Sequence, residues 1–187
     1  MLSVIIATLD SERVLVPTLA ALVPGATAGL ISEVLMTDGG SRDDTSAVAD
    51  VAGCTFMAVE GPLATRLKAA AAAARTSWLM FLRPEAILDA PWVAEVARFV
   101  AQPSREGHAA VFRRAAPGQP ALRDALSLLT SVLGARPRAE QGLLISRRFY
   151  GEIGGHSERA ADPETDLLRR IGRRRIVTLS TGVTIAR

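Results

Sequence analysis

The sequence predicts one α/β domain built around a mainly parallel sheet, and two observations lead to that prediction. Short apolar segments rich in β-branched residues, beginning with residues 2–7, alternate with segments whose apolar side chains recur at helical spacing. This alternation is typical of right-handed βαβ units and therefore of a parallel sheet. The chain of 187 residues has the length of a single domain, and its 49% hydrophobic content suffices for a core without disulfides or metals.

The alternation is regular as far as residue 101 and looser beyond it. Strands are predicted at residues 2–7, 32–37, 54–59 and 78–82, and helices at 11–22, 43–52, 63–75 and 91–101. Pro24 and Gly25 are expected to end the first helix, and Ser41 is expected to cap the second. Further strands are predicted at 108–112, 142–146, 176–179 and 183–185, and further helices at 121–133, 147–153 and 162–171.

Cysteine usage and the lack of targeting patterns predict a cytoplasmic protein. The single cysteine, Cys54, is expected to be a buried strand residue rather than part of a disulfide or a metal cluster. Residues 1–9 lack the basic start of a secretory leader, and no apolar run approaches the roughly 18 residues that a membrane span needs. The apolar face of the predicted helix 121–133 leaves two alternatives open. It could rest on the inner face of the membrane, or it could pack on the sheet or across a homo-oligomer interface.

The charge pattern argues against a nucleic-acid-binding protein. The net charge is only +3, and almost all of the basic residues are arginines, the densest group being Arg169, Arg170, Arg173, Arg174 and Arg175. Arginine suits phosphate and carboxylate groups, although a GC-rich genome also favours it. A nucleic-acid surface would add interleaved aromatic residues, and only 4% of this chain is aromatic.

Two polar clusters follow the first two predicted strands. Thr8–Glu12 comes directly after the first strand, and Asp38–Thr45, which contains two glycines, comes after the second. Ligands of open parallel sheets bind at the carboxyl ends of the strands, where glycines let backbone N–H groups approach a phosphate. For each cluster alone, the alternative to a ligand site is that its polar residues only stabilise a turn and cap a helix. Together, on adjacent strands, they predict a nucleotide site.

The order of these motifs resembles family 2 glycosyltransferases. The segments SVIIATLDSE, EVLMTDGGSRDDT and WLMFLRPEAIL are similar to the nucleotide-binding half of that family, here residues 1–101. EQGLLISRRFYGEIGG and DPETDLLRRI are similar to the acceptor half of a short bacterial branch, here residues 102–187. The resemblance implies one domain over 1–187 with a GT-A fold, a Rossmann-like α/β sandwich with a mixed, mainly parallel sheet. It also implies a nucleotide-sugar donor, most often a UDP-sugar, and an inverting transfer to an acceptor that the motifs do not specify.

Position by position, the resemblance implies a donor site at the strand tips. Thr8, Asp10 and Glu12 match the segment that flanks the base, and Asp38 matches the acidic residue that recognises the base or ribose. Gly39, Ser41, Arg66, Lys68 and Arg83 complete the predicted donor site, although Lys68 stands where the family often has Asn and Arg83 departs from the family's pattern. For Arg66 and Lys68 a solvated helix face remains the alternative.

The sequence departs from the family where the family binds a metal ion. In place of an Asp-x-Asp element it reads Arg83-Pro84-Glu85, so that only Glu85 is left as a ligand for Mg²⁺ or Mn²⁺. Three interpretations follow. Glu85 alone holds a divalent cation, the Arg83 guanidinium pairs with the diphosphate without metal, or the site has decayed and Glu85 is a plain surface carboxylate.

A second departure concerns the catalytic residues. The chain reads Ala139-Glu140-Gln141 where the short branch has Gly-Asp-Gln, and Pro163-Glu164 where the family has Glu-Asp. The resemblance therefore assigns catalysis to Glu164 as general base, with Glu140 and Gln141 beside it. A carboxylate in the first turn of a helix is the alternative for Glu164. The alternative for the whole chain is an inactive homologue that binds a nucleotide or a protein.

Overall fold

A single mixed sheet organises the protein. The computed structural model describes residues 1–114 and 136–186, and within them eight strands lie in the order β3-β2-β1-β4-β7-β6-β8-β5. The strands are β1 Leu2–Thr8, β2 Ile31–Asp38, β3 Thr55–Ala58, β4 Trp78–Leu82, β5 Ala86–Leu88, β6 Ala109–Arg114, β7 Leu143–Ser146 and β8 Ile176–Ile185. The helices are α1 Glu12–Thr27, α2 Thr45–Val51, α3 Leu63–Ala73, α4 Trp92–Val100, α5 Arg147–Glu152 and α6 Pro163–Ile171. Short 3₁₀ turns lie at Pro103–Arg105, Ala139–Gln141 and Arg173–Arg175.

The first half of the sheet is parallel, as the sequence predicts. β1 lies between β2 and β4, and β2 also pairs with β3, in each case in parallel. Thr8 is the register partner of Asp38, and Ile6 that of Leu82. The carboxyl ends of β1, β2 and β4 therefore meet at one edge of the sheet.

The second half makes the sheet mixed. β7 is antiparallel to both β4 and β6, β6 is parallel to β8, and β5 closes the edge antiparallel to β8. The predicted fold class is confirmed. Two details differ from the prediction. Strand β5 was not predicted, because three residues are too few to show a periodic pattern, and the predicted strands 176–179 and 183–185 form the single strand β8.

Helices cover both faces of the sheet. Alternate residues of β1 point in opposite directions, so that Val4 and Ile6 join one core cluster and Ile5 joins the other. The first cluster includes α1 and α4, with Trp92 only 1% exposed, and the second includes α3, α5 and α6. Burial of both faces explains why the central strands are continuous apolar runs.

Two predicted helix boundaries are wrong. Helix α1 continues through Pro24 and Gly25 to Thr27, because this turn is buried: Gly25 packs against the Trp92 ring, and the Trp92 indole donates to the Ala21 carbonyl at 2.9 Å. Helix α2 begins at Thr45 with Asp44 at its N-cap. Ser41 does not cap it, since the Ser41 side chain is bonded to the tips of β1 and β2 instead.

Gly25→Ala is expected to lower the free energy of unfolding by about 1 kcal/mol, because overpacking a core costs about 1–3 kcal/mol while the gain in helix propensity is about 1 kcal/mol. A Cβ atom at position 25 would lie 2.3 Å from Cη2 of Trp92 and 2.5 Å from its Cζ2. Urea denaturation measures the change. The matched control is Gly151→Ala in α5, where the new Cβ would have no described atom within 4 Å apart from its chain neighbours and the backbone of its own helix. Equal effects of the two variants would contradict the predicted clash.

The predicted helix 121–133 lies outside the described residues, so its packing on the sheet, on a membrane or on a second copy stays a prediction. Among the helices of the described ranges, none combines the length and the apolar character needed to cross a bilayer.

Candidate functional site

Asp38 lies at the tip of β2 and holds the surrounding loop in place. Its carboxylate accepts hydrogen bonds from the Thr8 hydroxyl at 2.9 Å, from the Gly40 and Ser41 N–H groups at 2.8 and 2.7 Å, and from the Ser41 hydroxyl. Burial alone would raise the pKa of Asp38, but these hydrogen bonds outweigh it and hold the pKa below its ordinary value. Two donors to each oxygen fill the acceptor positions of a carboxylate. Asp38 is thus a positioning residue in this geometry, and its direct recognition of a base stays a prediction.

The two predicted polar clusters are brought together as one bonded unit. The Asp10 N–H donates to Oγ of Ser41 at 2.8 Å, and the Arg42 N–H donates to Oδ1 of Asp10 at 2.7 Å. The Glu12 N–H donates to Oδ2 of Asp43 at 3.0 Å. Asp10 adopts the left-handed region with φ 47°, which aspartate tolerates better than most residues. The loops after β1 and β2 therefore form a single polar rim at the carboxyl edge of the sheet.

Arg66 of α3 is hydrogen-bonded to this rim, whereas Lys68 of the same helix pairs with Glu158 instead. Nη1 of Arg66 donates to the Thr8 carbonyl at 2.7 Å, and the guanidinium lies so close to Gly39 that a Cβ there would be 2.7 Å from Nη1. Nε of Arg66 is buried without a hydrogen-bond partner in the described part of the chain. Lys68 forms an exposed ion pair with Glu158 at 3.0 Å. The structure thus groups Arg66 with the rim and leaves Lys68 apart from it.

Arg83 directly follows β4 and forms an ion pair with Glu164. Its Nη2 and Nε lie 2.7 and 3.2 Å from Oε2 of Glu164, and the two side chains are 33% and 17% exposed. Burial would lower the pKa of Arg83, but the hydrogen bond to Glu164, together with the charges of Glu164, Glu85 and Glu140, outweighs it and raises that pKa. Arg83 is therefore a fixed cation among several carboxylates.

Glu164 occupies the first turn of α6, which begins at the N-cap Asp162. Burial raises the pKa of Glu164, the negative charges of Asp162 and Glu85 add to that effect, and Arg83 opposes it without cancelling it. Both hydrogen bonds from Arg83 go to Oε2, and Oε1 accepts none from a described residue. One carboxylate oxygen is thus left to take a proton.

Glu140 and Gln141 belong to the 3₁₀ turn before β7. Nε2 of Gln141 donates to the Phe112 carbonyl at 2.6 Å, and its Oε1 accepts from the Arg138 N–H at 2.8 Å. The Gln141 side chain therefore fixes the turn. Oε2 of Glu140 lies 3.9 Å from Nη2 of Arg114, and the Glu140 charge contributes to the raised pKa of Arg83. Their predicted catalytic roles stay predictions.

Solved structures of two other proteins share this architecture. Residues 1–349 of S. aureus TarS match with a TM-score of 0.72 at 14% identity, covering 99% of this chain and 60% of that one. The glucosyl-3-phosphoglycerate synthase of Mycobacterium tuberculosis, in complex with Mn²⁺ and UDP-glucose, matches with a TM-score of 0.71 at 20% identity, covering 100% of this chain and 70% of that one. TarS in complex with UDP gives a TM-score of 0.72 at 16% identity. No protein-family model and no curated protein matches the sequence.

The chain has a GT-A fold. The resemblance to family 2 glycosyltransferases, predicted from the order of the motifs, is thereby confirmed as a resemblance of fold. At sequence identities of 14 to 20%, the structural similarity shows a shared fold and does not show a shared function. The chain spans about 60% of the length of the TarS fragment.

A divalent cation is the group to test against this fold, and the side chains in ranges 1–114 and 136–186 do not fit one. In the described ranges, no three acidic, histidine or cysteine side chains lie together in a way that could hold a metal ion. The position that matches the family's Asp-x-Asp element is occupied by Arg83, which is bonded to Glu164 at 2.7 Å. A divalent cation beside this guanidinium would meet charge repulsion and only Glu85 as a ligand from that element.

His156 lies beside Glu164 in the structure. The sequence pattern around it, two glycines followed by the histidine, did not predict a place in this site. His156 is 2% exposed, and its Nδ1 lies 2.8 Å from the Tyr150 hydroxyl. Together with Phe81, Glu164 and Leu168 it lines a small cavity of about 10 Å³. Burial is the largest cause of both pKa shifts in this pair. It lowers the pKa of His156 to about 4 and raises the pKa of Tyr150 to about 12.

The buried His156 predicts a loss of stability in mild acid. An unfolded histidine titrates near pH 6.5, so its neutral burial contributes stability that is complete above that pH and falls as pH drops toward the folded pKa of about 4. We expect the free energy of unfolding to fall by about 3 kcal/mol between pH 6.5 and pH 4 from this residue. Urea denaturation at several pH values, for the wild type and His156→Gln, measures this difference. An identical pH dependence in the two proteins would contradict it.

Proposed function

We propose that this chain is a glycosyltransferase that binds a nucleotide-sugar and transfers the sugar to an acceptor hydroxyl with inversion. The observation that carries the proposal is the polar rim of β1 and β2, which lies at the same sheet edge as the Arg83–Glu164 pair. Nucleotides bind at this edge in α/β sheets. TarS and the glucosyl-3-phosphoglycerate synthase, solved with UDP and with UDP-glucose, support a UDP-sugar as the first donor to test.

In this proposal Arg83 takes the place of the divalent cation. A guanidinium pairs with two phosphate oxygens at once and keeps its charge at any working pH. Because Arg83 is bonded to Glu164, the diphosphate must draw the guanidinium toward itself as the donor binds. The positive charge then stabilises the diphosphate as it leaves the sugar.

Glu164 is the general base of the proposed transfer. The acceptor hydroxyl gives its proton to the carboxylate as its oxygen attacks the anomeric carbon, and the bond from that carbon to the diphosphate breaks on the opposite side. Contact between the diphosphate and Arg83 would release the second oxygen of Glu164 for this step. The raised pKa of Glu164 brings it closer to the working pH, which favours a base that must accept a proton.

Donor binding without metal is the test of this arrangement. We expect UDP-glucose to bind equally well in EDTA and in Mn²⁺, and Arg83→Gln to weaken it by about 10- to 100-fold, the value of one or two charge-assisted hydrogen bonds. Calorimetric titration with UDP-, GDP- and dTDP-sugars measures both effects. The matched control is Arg148→Gln, which removes an exposed ion pair with Glu152. Binding that requires Mn²⁺, or that ignores Arg83→Gln, would contradict the role of Arg83.

One observation favours a second function, that of a nucleotide-binding homologue without transferase activity. Arg83 holds the carboxylate that would act as base, and the metal-binding element is replaced. This second function would be supported if the protein binds a nucleotide-sugar but transfers no sugar to any acceptor that it also binds. A donor-dependent release of UDP with a bound acceptor would support the transferase.

A further inference from the structure

A second cavity, of about 310 Å³, lies beside α6. Its walls include three arginines, Arg136, Arg169 and Arg173, together with Thr165, Leu168 and Ile176. The arginines come from two segments that are distant in sequence: Arg136 precedes the 3₁₀ turn before β7, whereas Arg169 and Arg173 lie at and after the end of α6. Tertiary structure therefore assembles part of the arginine-rich segment into the wall of a cavity.

The positive charges of this cavity are only partly balanced. Arg169 bonds to Oδ1 of Asp166 at 2.8 Å, and Asp166 also binds Arg170. Arg136 and Arg173 form no ion pair with any acidic residue in the ranges 1–114 and 136–186. Arg136, Arg169 and Arg173 are exposed, so water and salt weaken their mutual repulsion, and a bound anion removes what remains of it. The two unbalanced charges equal those of a phosphate monoester dianion, whereas a carboxylate would leave one of them unpaired.

The cavity adjoins the proposed base. Thr165, in its wall, directly follows Glu164 along α6, and Leu168 forms part of both this cavity and the small cavity beside Glu164 and His156. Leu168 and Ile176 supply the apolar part of the cavity wall. A ligand with a phosphate at the arginines and a small apolar body would extend along this surface toward Glu164.

We propose that this cavity binds the phosphate group of a phosphorylated acceptor. The anion site stands on the arginines alone, and its assignment to the acceptor rests on the proposed function. Arg136 and Arg173 bind the phosphate oxygens, Arg169 adds a third donor group, and the acceptor's hydroxyl reaches Glu164.

Calorimetric titration with phenyl phosphate tests the site, with benzoate and phenol as probes that lack the second charge or any charge. We expect phenyl phosphate to bind at least about tenfold more tightly than benzoate, and Arg136→Gln/Arg173→Gln to weaken it by about 100-fold, about tenfold for each charge-assisted contact. The matched control is Arg98→Gln/Arg174→Gln, which removes the same net charge at exposed positions outside the cavity. Circular dichroism verifies that both double variants fold.

The outcomes separate this site from the donor site. No binding of phenyl phosphate by the wild type, equal loss in the two double variants, or equally tight binding of phenol would overturn the proposal. UDP-glucose titrated into the same samples should bind both double variants as tightly as the wild type. Phenyl phosphate binding that needs Arg136 and Arg173, in a protein that binds no nucleotide-sugar, would support the anion site and contradict only the transferase function.

Discussion

Glu164→Gln is expected to lower kcat for sugar transfer by about 100- to 10,000-fold, the usual contribution of a general base. Gln keeps the size and shape of the side chain but cannot accept the acceptor's proton. The substitution also removes the negative charge that holds Arg83 at 2.7 Å. Arg83 is then free for the diphosphate, so we expect the Kd of the donor to stay equal or to decrease. Steady-state kinetics combined with calorimetry separates these two effects.

The pH dependence of the reaction distinguishes a base from a structural carboxylate. In the wild type, kcat/KM should fall on the acid side with a pKa above the ordinary glutamate value of 4.5, because burial raises the pKa of Glu164. This acid limb should disappear in Glu164→Gln. Glu152→Gln serves as the control, since Glu152 forms only an exposed ion pair with Arg148. Unchanged turnover in Glu164→Gln would remove Glu164 from the mechanism.

Asp38→Ala is expected to lower the free energy of unfolding by about 4 kcal/mol and to abolish donor binding. The substitution leaves the hydroxyls of Thr8 and Ser41 and two backbone N–H groups without their acceptor. A donor that stays buried without a partner, as at Thr8, costs about 1–3 kcal/mol, whereas the donors of Gly40 and Ser41 lie near solvent and regain part of their bonding from water, which keeps the total below the sum. For a chain of this length, we expect the Tm to fall by about 12 °C. Differential scanning calorimetry measures this change.

Two comparisons define what Asp38 contributes. Asp38→Asn keeps one acceptor oxygen and should cost less than Asp38→Ala, because only part of the bonding is lost. In the wild type the depressed pKa of Asp38 contributes stability above the unfolded value of about 4, and this stability is lost as pH falls through the lower folded pKa. A stability difference between wild type and Asp38→Asn that persists unchanged down to pH 2 would contradict a charged, hydrogen-bonded Asp38.

Much of the first half of the fold could be predicted from the sequence because its pattern is local. Strand β4 has the predicted bounds, Trp78–Leu82, since all five residues are buried and form an uninterrupted apolar run. The adjacency of the Asp10 and Asp38 loops also follows from the sequence, because neighbouring parallel strands end at the same sheet edge. By contrast, α1 runs past Pro24 because the distant Trp92 packs on that turn, which no local pattern indicates.

The sequence by itself therefore determined the α/β class, the parallel first half and the polar clusters at its strand tips, because periodic burial and turn chemistry act between near neighbours. Only the tertiary structure decided that Arg83 bonds to Glu164, 81 positions later, and that Arg136 meets Arg169 and Arg173 around one cavity. Such pairs depend on the sheet order, in which the antiparallel β7 lies beside β4. Contacts between distant segments depend on how whole strands and helices pack against each other. The local spacing of residues along the chain does not predict that packing.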